Sequence, residues 1–397
     1  MLSCMHEHDG PLTRLRRSHE QAVLELLRKH GPLSRAELGD RSGLSRTTLH
    51  DIVAGLAGNG SVVAGTPHVE VRKRGRPVEK LSLNPAAGEA VGIDFARRAV
   101  HVAAVNFAHE VISSASEAHA PDLSWPERID IAGRLLATSG AIHLDALSAI
   151  GVGVVGPISE PGSENAHAQG IDGPPDLLRK QFGVPVLLDN NTRLAALAEA
   201  VWGAAADSGD VLYLRLSHGV GGGLVVGGAL HRGRNGLSGE FGHITVDPAG
   251  RPCACGGTGC LETRASLDAV LYRYREAGGR AHDLAAFLEA AAAGEPSALG
   301  VLEHVGYDIG GVLAAVCHAV GPGVIVVGGE LAEAGPALLG PVERALRQQL
   351  MPLARQHVDV RRATLGEAAS ALGGIALVLH ESPLLSHYPR PVPEENA

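Results

Sequence analysis

Apolar positions recur at helical spacing near the amino terminus and at strand spacing from about residue 90, so pattern alone divides the chain. Residues 18–30, SHEQAVLELLRKH, place Val23, Leu24 and Leu27 on one helical face and stop at Gly31-Pro32. Ser34 then caps a short helical segment, RAELGDRSG, and Gly43 marks a tight turn. Ser45 caps a third helix, RTTLHDIVAGLAGNG, with Leu49, Ile52, Val53 and Leu56 as its buried stripe. Two short strands, 62–63 and 78–83, flank VRKRGRP at 71–77. From Val91 the run VGIDFARRAVHVAAVNF, followed by HEVISSAS, reads as successive strands, and a comparable strand, turn, strand run recurs at 210–231. Two similar openings predict two similar halves. A helix over 302–320, a Gly-Pro-Gly break and the strand VIVVGGEL at 324–331 follow. The proline-rich stretch from Ser382 predicts a disordered tail over 382–397.

Helix, short helix, glycine turn, helix is the helix-turn-helix plan. With the stripe buried, Arg46, Thr47, Thr48 and His50, behind the cap Ser45, stand at the exposed end of the third helix, where base edges are read. The 71–77 hairpin reads as a wing whose Arg72, Lys73, Arg74 and Arg76 neutralise phosphates, with Arg-Gly-Arg-Pro resembling a minor-groove hook. Charge agrees. The formal net charge is −9, yet the first 85 residues hold 13 Lys/Arg against 9 Asp/Glu, leaving 21 against 34 behind them: a +4 head on a −13 body. The first domain is therefore expected over 1–86, ending at Asn84-Pro85.

At 397 residues, with 45% hydrophobic and 19% charged content, the chain is an ordinary globular protein with a sizeable core. Five cysteines, with Cys4 and Cys317 isolated, make no secreted disulfide framework. Neither a signal peptide nor an 18-residue apolar run stands out, so a reducing cytoplasm and no membrane are expected.

The most specific stretch is 239–262, GEFGHITVDPAGRPCACGGTGCLE. His243, Cys253, Cys255 and Cys260 form His-x9-Cys-x-Cys-x4-Cys, a ligand set that closes a tetrahedral zinc site. Four protein ligands leave no position for water, so this zinc is structural. Glu240 and Glu262 flank it, and carboxylates converging beside a ligating imidazole suit a polyhydroxylated ligand such as a sugar.

This stretch resembles the signature of the ROK family, which unites bacterial sugar kinases with sugar-responsive transcriptional repressors, and the resemblance covers about 15–380. It implies an actin-like, duplicated ribonuclease-H-like α/β fold over 87–381 behind the winged head, zinc on the histidine and cysteines, and sugar contacts from Glu240, His243 and Glu262. In VPVLLDNNTRLAALAE, 184–199, Asn190 matches the family's sugar-binding asparagine, and Asn191 stands where kinases carry the aspartate that accepts the hydroxyl proton. An amide cannot act as that base. Arg193 departs from the family's small or amide residue. Phe95-Ala96-Arg97-Arg98 follows Asp94 where kinases have a glycine-rich phosphate loop, whereas Gly219 to Gly223 survives and reads as a second loop or a tight turn.

The resemblance thus implies a non-catalytic, zinc-stabilised sugar sensor on a DNA-binding head. Its partners would be an inverted-repeat operator in double-stranded DNA, a sugar held by Asn190, Asn191, Glu240, His243 and Glu262, and a second copy or more in a homodimer or homotetramer. The alternative is a sugar kinase carrying an extra amino-terminal domain.

Overall fold

The computed structural model describes residues 11–65, 79–108, 110–138, 147–156, 158–159, 167–168 and 174–381. The expected wing at 71–77 and tail at 382–397 lie outside them.

In the head, α1 (Pro11–His30), β1 (Leu33–Ser34), α2 (Arg35–Ser42) and α3 (Arg46–Gly58) precede β2 (Val62–Gly65) and β3 (Lys80–Leu83). The first helix starts at Pro11, ahead of the expected position, with proline at a helical start where its missing N–H costs nothing. Ser34 Oγ accepts from Glu37 N at 3.2 Å while Glu37 Oε2 accepts from Ser34 N at 2.7 Å, a reciprocal capping box. Gly43 ends α2 at φ +67°, a left-handed conformation suited to glycine. The strands pair antiparallel in the order β1-β3-β2, as a wing requires. Leu49, Ile52, Val53 and Leu56 are buried with Val23, Leu27 and Leu38 in a core of the head's own.

The first half contains β4 (Glu89–Phe95), β5 (Ala99–Asn106), β6 (Val111–Ala118), α4 (Trp125–Thr138), β7 (Leu147–Val154), β8 (Ile158–Ser159), β9 (His167–Ala168), α5 (Pro174–Phe182), β10 (Val186–Asn190) and α6 (Asn191–Val201). The second contains β11 (Val211–Leu216), β12 (Val220–Val226), β13 (Ala229–His231), α7 (Glu262–Ala265), α8 (Leu267–Glu276), α9 (Leu284–Ala292), α10 (Pro296–Val320), β14 (Val324–Gly328), α11 (Pro336–Gln349), β15 (Asp359–Arg362) and α12 (Ala369–Glu381).

The sheets run β10-β7-β4-β5-β6 and β15-β14-β11-β12-β13. In each, the first strand pairs antiparallel with the second and parallel with the fourth, and the fifth runs parallel to the fourth. This is the duplication that the two openings predict. Between the sheets, α6 and α12 bury Leu194, Leu197 and Leu377 against Ala149 and Leu187 of one sheet and Val211 and Tyr213 of the other. The last helix thus returns to complete the interface of the first half.

Helix α10 begins at Pro296, earlier than the predicted 302, and among the described residues it is the one helix long and apolar enough to cross a membrane. It packs as a core helix, burying Leu302, Val305, Ile309 and Val312 in the second half's cluster. The strand expected over 324–331 ends at Gly328, because Gly329 turns the chain at φ +85°.

Candidate functional site

Residues 240–262 begin against β12 of the second sheet. The turn Phe241–His243 lies directly on β12: a Cβ at Gly222 would run into the Phe241 ring, and one at Gly242 would strike the carbonyl of Val220. On β12's other face, a Cβ at Gly221 would stand 3.3 Å from Thr192 Oγ1 and one at Gly223 2.6 Å from the Ala196 methyl, both on α6. Of the run predicted as a second loop or tight turn, Gly219 does lie in a turn, whereas from Val220 onward it is a strand whose glycines let two layers approach one backbone.

A small hairpin carries the cysteines. Val246 N donates to Gly259 O at 2.8 Å, Leu261 N to Ile244 O at 2.9 Å, and Cys253 N to Gly257 O at 2.9 Å. This folding brings together one ligand atom each from His243, Cys253, Cys255 and Cys260, all within 4.8 Å of one another. Cys255 Sγ to Cys260 Sγ is 3.7 Å and Cys253 Sγ to His243 Nδ1 is 3.6 Å. A tetrahedral dication about 2.3 Å from sulfur needs sulfurs about 3.8 Å apart, so the cluster fits a metal ion. In the protein alone, burial pushes the Cys260 thiol up to about 12, while the hydrogen bond from Gly257 N lowers that of exposed Cys255. A dication reverses the first effect, because it favours thiolate.

With Nδ1 of His243 aimed at the cysteines, Nε2 faces Glu240 Oε2 at 3.9 Å, too far for a hydrogen bond and open to a hydroxyl between them. Glu262 Oε2 accepts from Val220 N at 2.9 Å, which anchors α7 at the start of β12. Asn190 caps α6: its Oδ1 accepts from Thr192 N at 2.9 Å and Arg193 N at 3.2 Å, and its Nδ2 donates to Gly156 O at 3.1 Å. One amide hydrogen remains for a ligand. Asn191 is buried beside Gly153 and Asp94, whose carboxyl pKa is raised by burial, against opposition from Arg215 and His101. Asn190 and Asn191, on one side, and Glu262, on the other, thus sit on elements that meet at Val220 and Gly221.

Arg193 does not face a ligand. Its side chain is 2% exposed, and its Nε donates to Asp189 Oδ1 at 2.8 Å while its Nη1 donates to Gly236 O. Arg232 Nε donates to the other Asp189 oxygen at 2.6 Å. One carboxylate at the end of β10 therefore ties α6 to the segment that leads from β13 into Glu240. Sequence reasoning missed Asp189 and Arg232. The signal lay in three charges with apolar neighbours, LLDNNTRLAAL and ALHRG, which a buried network tolerates only when paired.

In the head, Arg46, Thr47 and His50 are exposed at the start of α3. Ser45 Oγ accepts from Thr48 N at 3.2 Å and lies 2.8 Å from Thr48 Oγ1, so this pair is engaged in capping. Arg72, Lys73, Arg74 and Arg76 lie outside the described residues. Phe107 and Ala108, in the turn after β5, pack against the head's core and join it to the first sheet.

A profile described as "ROK family" matches residues 90–381, and one described as "Winged helix-turn-helix DNA-binding" matches 16–56. The chain is 33% identical over 321 residues to a glucokinase of Halalkalibacterium halodurans, covering 72% of this chain and 94% of that protein. It is 28% identical over 390 residues to the DNA-binding transcriptional dual regulator NagC of Escherichia coli, covering 93% and 94%. The crystal structure of a ROK family transcriptional regulator, a homologue of the Escherichia coli Mlc protein, superposes with a TM-score of 0.77 at 26% identity, over 94% of this chain and 98% of that one.

Proposed function

This chain belongs to the ROK family, and from that premise we propose that it is a sugar-responsive transcriptional regulator, acting as a repressor in the cytoplasm, whose kinase-like body binds a sugar without phosphorylating it. What supports the reading is one chain combining an exposed helix-turn-helix face at Arg46, Thr47 and His50 with a buried amide, Asn191, at the position where the resemblance implies a proton-accepting aspartate in kinases. The similarity to NagC runs through the head, whereas that to the glucokinase covers 72% of the chain.

Zinc, held by His243, Cys253, Cys255 and Cys260, shapes the loop that presents Glu240 and Glu262. The sugar is gripped by Asn190, Asn191, Glu240, His243 and Glu262. DNA is contacted by Ser45, Arg46, Thr47, Thr48 and His50, with Arg72, Lys73, Arg74 and Arg76 on phosphates. The head occupies 1–86 and the sensor 87–381, and a symmetric dimer or tetramer reads an inverted repeat. Sugar binding shifts the two halves, and the shift reaches the head through the turn at Phe107 and Ala108.

The test is DNA affinity, measured on an operator selected from a random pool, with and without each member of a hexose and amino-sugar panel. One sugar should change it by roughly 5- to 150-fold, the usual range of coupling. If no sugar moves the affinity, the sensor reading is wrong. The glucokinase relative favours a second reading, a kinase with an added head; sugar phosphorylation with ATP and magnesium above background would establish it.

A further inference from the structure

Behind the metal loop is a cavity of about 230 Å³, walled by residues 247–251, α7 and α8. Arg251, Arg264 and Arg273 converge on it. The carboxylates nearby are unevenly shared. Arg264 takes two of them, with Nε 2.6 Å from Asp308 Oδ2 and Nη1 3.4 Å from Asp247 Oδ2. Glu276 accepts the Tyr272 hydroxyl at 2.7 Å.

That leaves two guanidiniums facing the cavity with no carboxylate at hydrogen-bonding distance. Arg251 lies over the Tyr272 ring, 5.1 Å from its centroid, and donates to Thr263 O. Arg273 Nη1 is 3.8 Å from the Asp308 oxygen that Arg264 already holds, is shielded from solvent, and has no hydrogen-bond acceptor among the described residues. A buried guanidinium N–H without an acceptor is costly, so the Arg273 side chain that lines this cavity is under-compensated by its own neighbours.

We infer that this cavity binds a phosphoryl group, as inorganic phosphate or a small phosphate monoester. The Arg251 and Arg273 forks approach from different walls and ask for oxygens in more than one direction. A tetrahedral phosphoryl group presents three, whereas a planar carboxylate presents two. Burial first, and then Arg264, lowers the pKa of Arg273, and an anion between the forks offsets the repulsion from Arg264. Because Thr263 and Arg264 directly follow Glu262 on α7, an occupant would stiffen the element that carries that carboxylate. The inference goes beyond the sugar reading and does not depend on it.

The experiment is calorimetric titration of the zinc-loaded full chain with inorganic phosphate and, separately, glycerol 3-phosphate, at ionic strength held constant with chloride. Saturable binding is expected. Arg273→Met should weaken it about tenfold or more, the loss expected for one charge-assisted hydrogen bond. Arg251→Gln, on the exposed wall, keeps the test valid if Arg273→Met does not fold. Tighter binding of glycerol 3-phosphate assigns the site to monoesters, and tighter or equal binding of phosphate assigns it to the free ion. Absence of saturable binding overturns the inference. So does binding unchanged in both variants, which would move the phosphate to the DNA-binding head.

Discussion

Replacing Asp189 by asparagine tests whether the charge network between the halves is as tight as its geometry indicates. Asp189 is fully buried, and its two oxygens accept from Arg193 at 2.8 Å and Arg232 at 2.6 Å. Asparagine keeps the shape but turns one acceptor into a donor facing a guanidinium, and removes the charge that compensates both arginines. Arg232, 16% exposed, can relax toward water; Arg193, 2% exposed, cannot. Removing one partner from a buried pair costs about 3–5 kcal/mol, because the other charge stays desolvated. At about 2–4 °C per kcal/mol for a large domain, Asp189→Asn should lower Tm by roughly 6–20 °C. Scanning calorimetry reads this directly. Asp207→Asn is the control: Asp207 pairs with Arg361 but is 68% exposed, so solvent screening should leave Tm nearly unchanged. Because the network holds the segment leading into Glu240, sugar affinity should fall alongside Tm in Asp189→Asn. Equal Tm values for the two variants would refute the reasoning.

The remaining expectations are more compact. Burial raises the Asp94 pKa in the folded chain, so the folded state holds a proton that the unfolded state releases, and this group's stability contribution falls as pH rises above the unfolded value. Asp94→Asn should therefore raise Tm at pH 8, with the gain shrinking toward pH 4; thermal melts across pH check it, and a loss at pH 8 would show the carboxylate to be ionised and needed. Phe107→Ala should leave sugar affinity intact while weakening the sugar's effect on DNA, since it trims the contact between the first sheet's turn and the head; full coupling in that variant would place the route elsewhere. Cys255→Ser should lower zinc content by elemental analysis and loosen the loop around Glu240, read by amide exchange. Arg46→Ala should cost about 1–3 kcal/mol on the best operator and blur one base position, an effect scrambled DNA should not share.

Some of this was legible along the chain because the physics is local. The stripe Leu49, Ile52, Val53, Leu56 defines a helix face by its period, Ser34 and Ser45 mark helix starts by their side-chain chemistry, and the histidine-cysteine cluster is a spacing of residues on one turn and the short hairpin after it. The two repeated strand openings likewise announced the duplication. What the sequence could not express are contacts between segments far apart in it. The run from Gly219 to Gly223 reads as a turn in one dimension; only with α6 on one face of β12 and Phe241 on the other does the absence of side chains become a packing requirement. Arg193 reads as an intrusion into a ligand site until Asp189, Arg232 and Gly236 converge and draw it into the interior. Likewise, α12 lies between the two sheets because its apolar faces find their partners there, and no periodicity in its own residues names those partners. Local propensity and spacing wrote the elements and the histidine-cysteine cluster; long-range burial and charge compensation decided how the halves are joined.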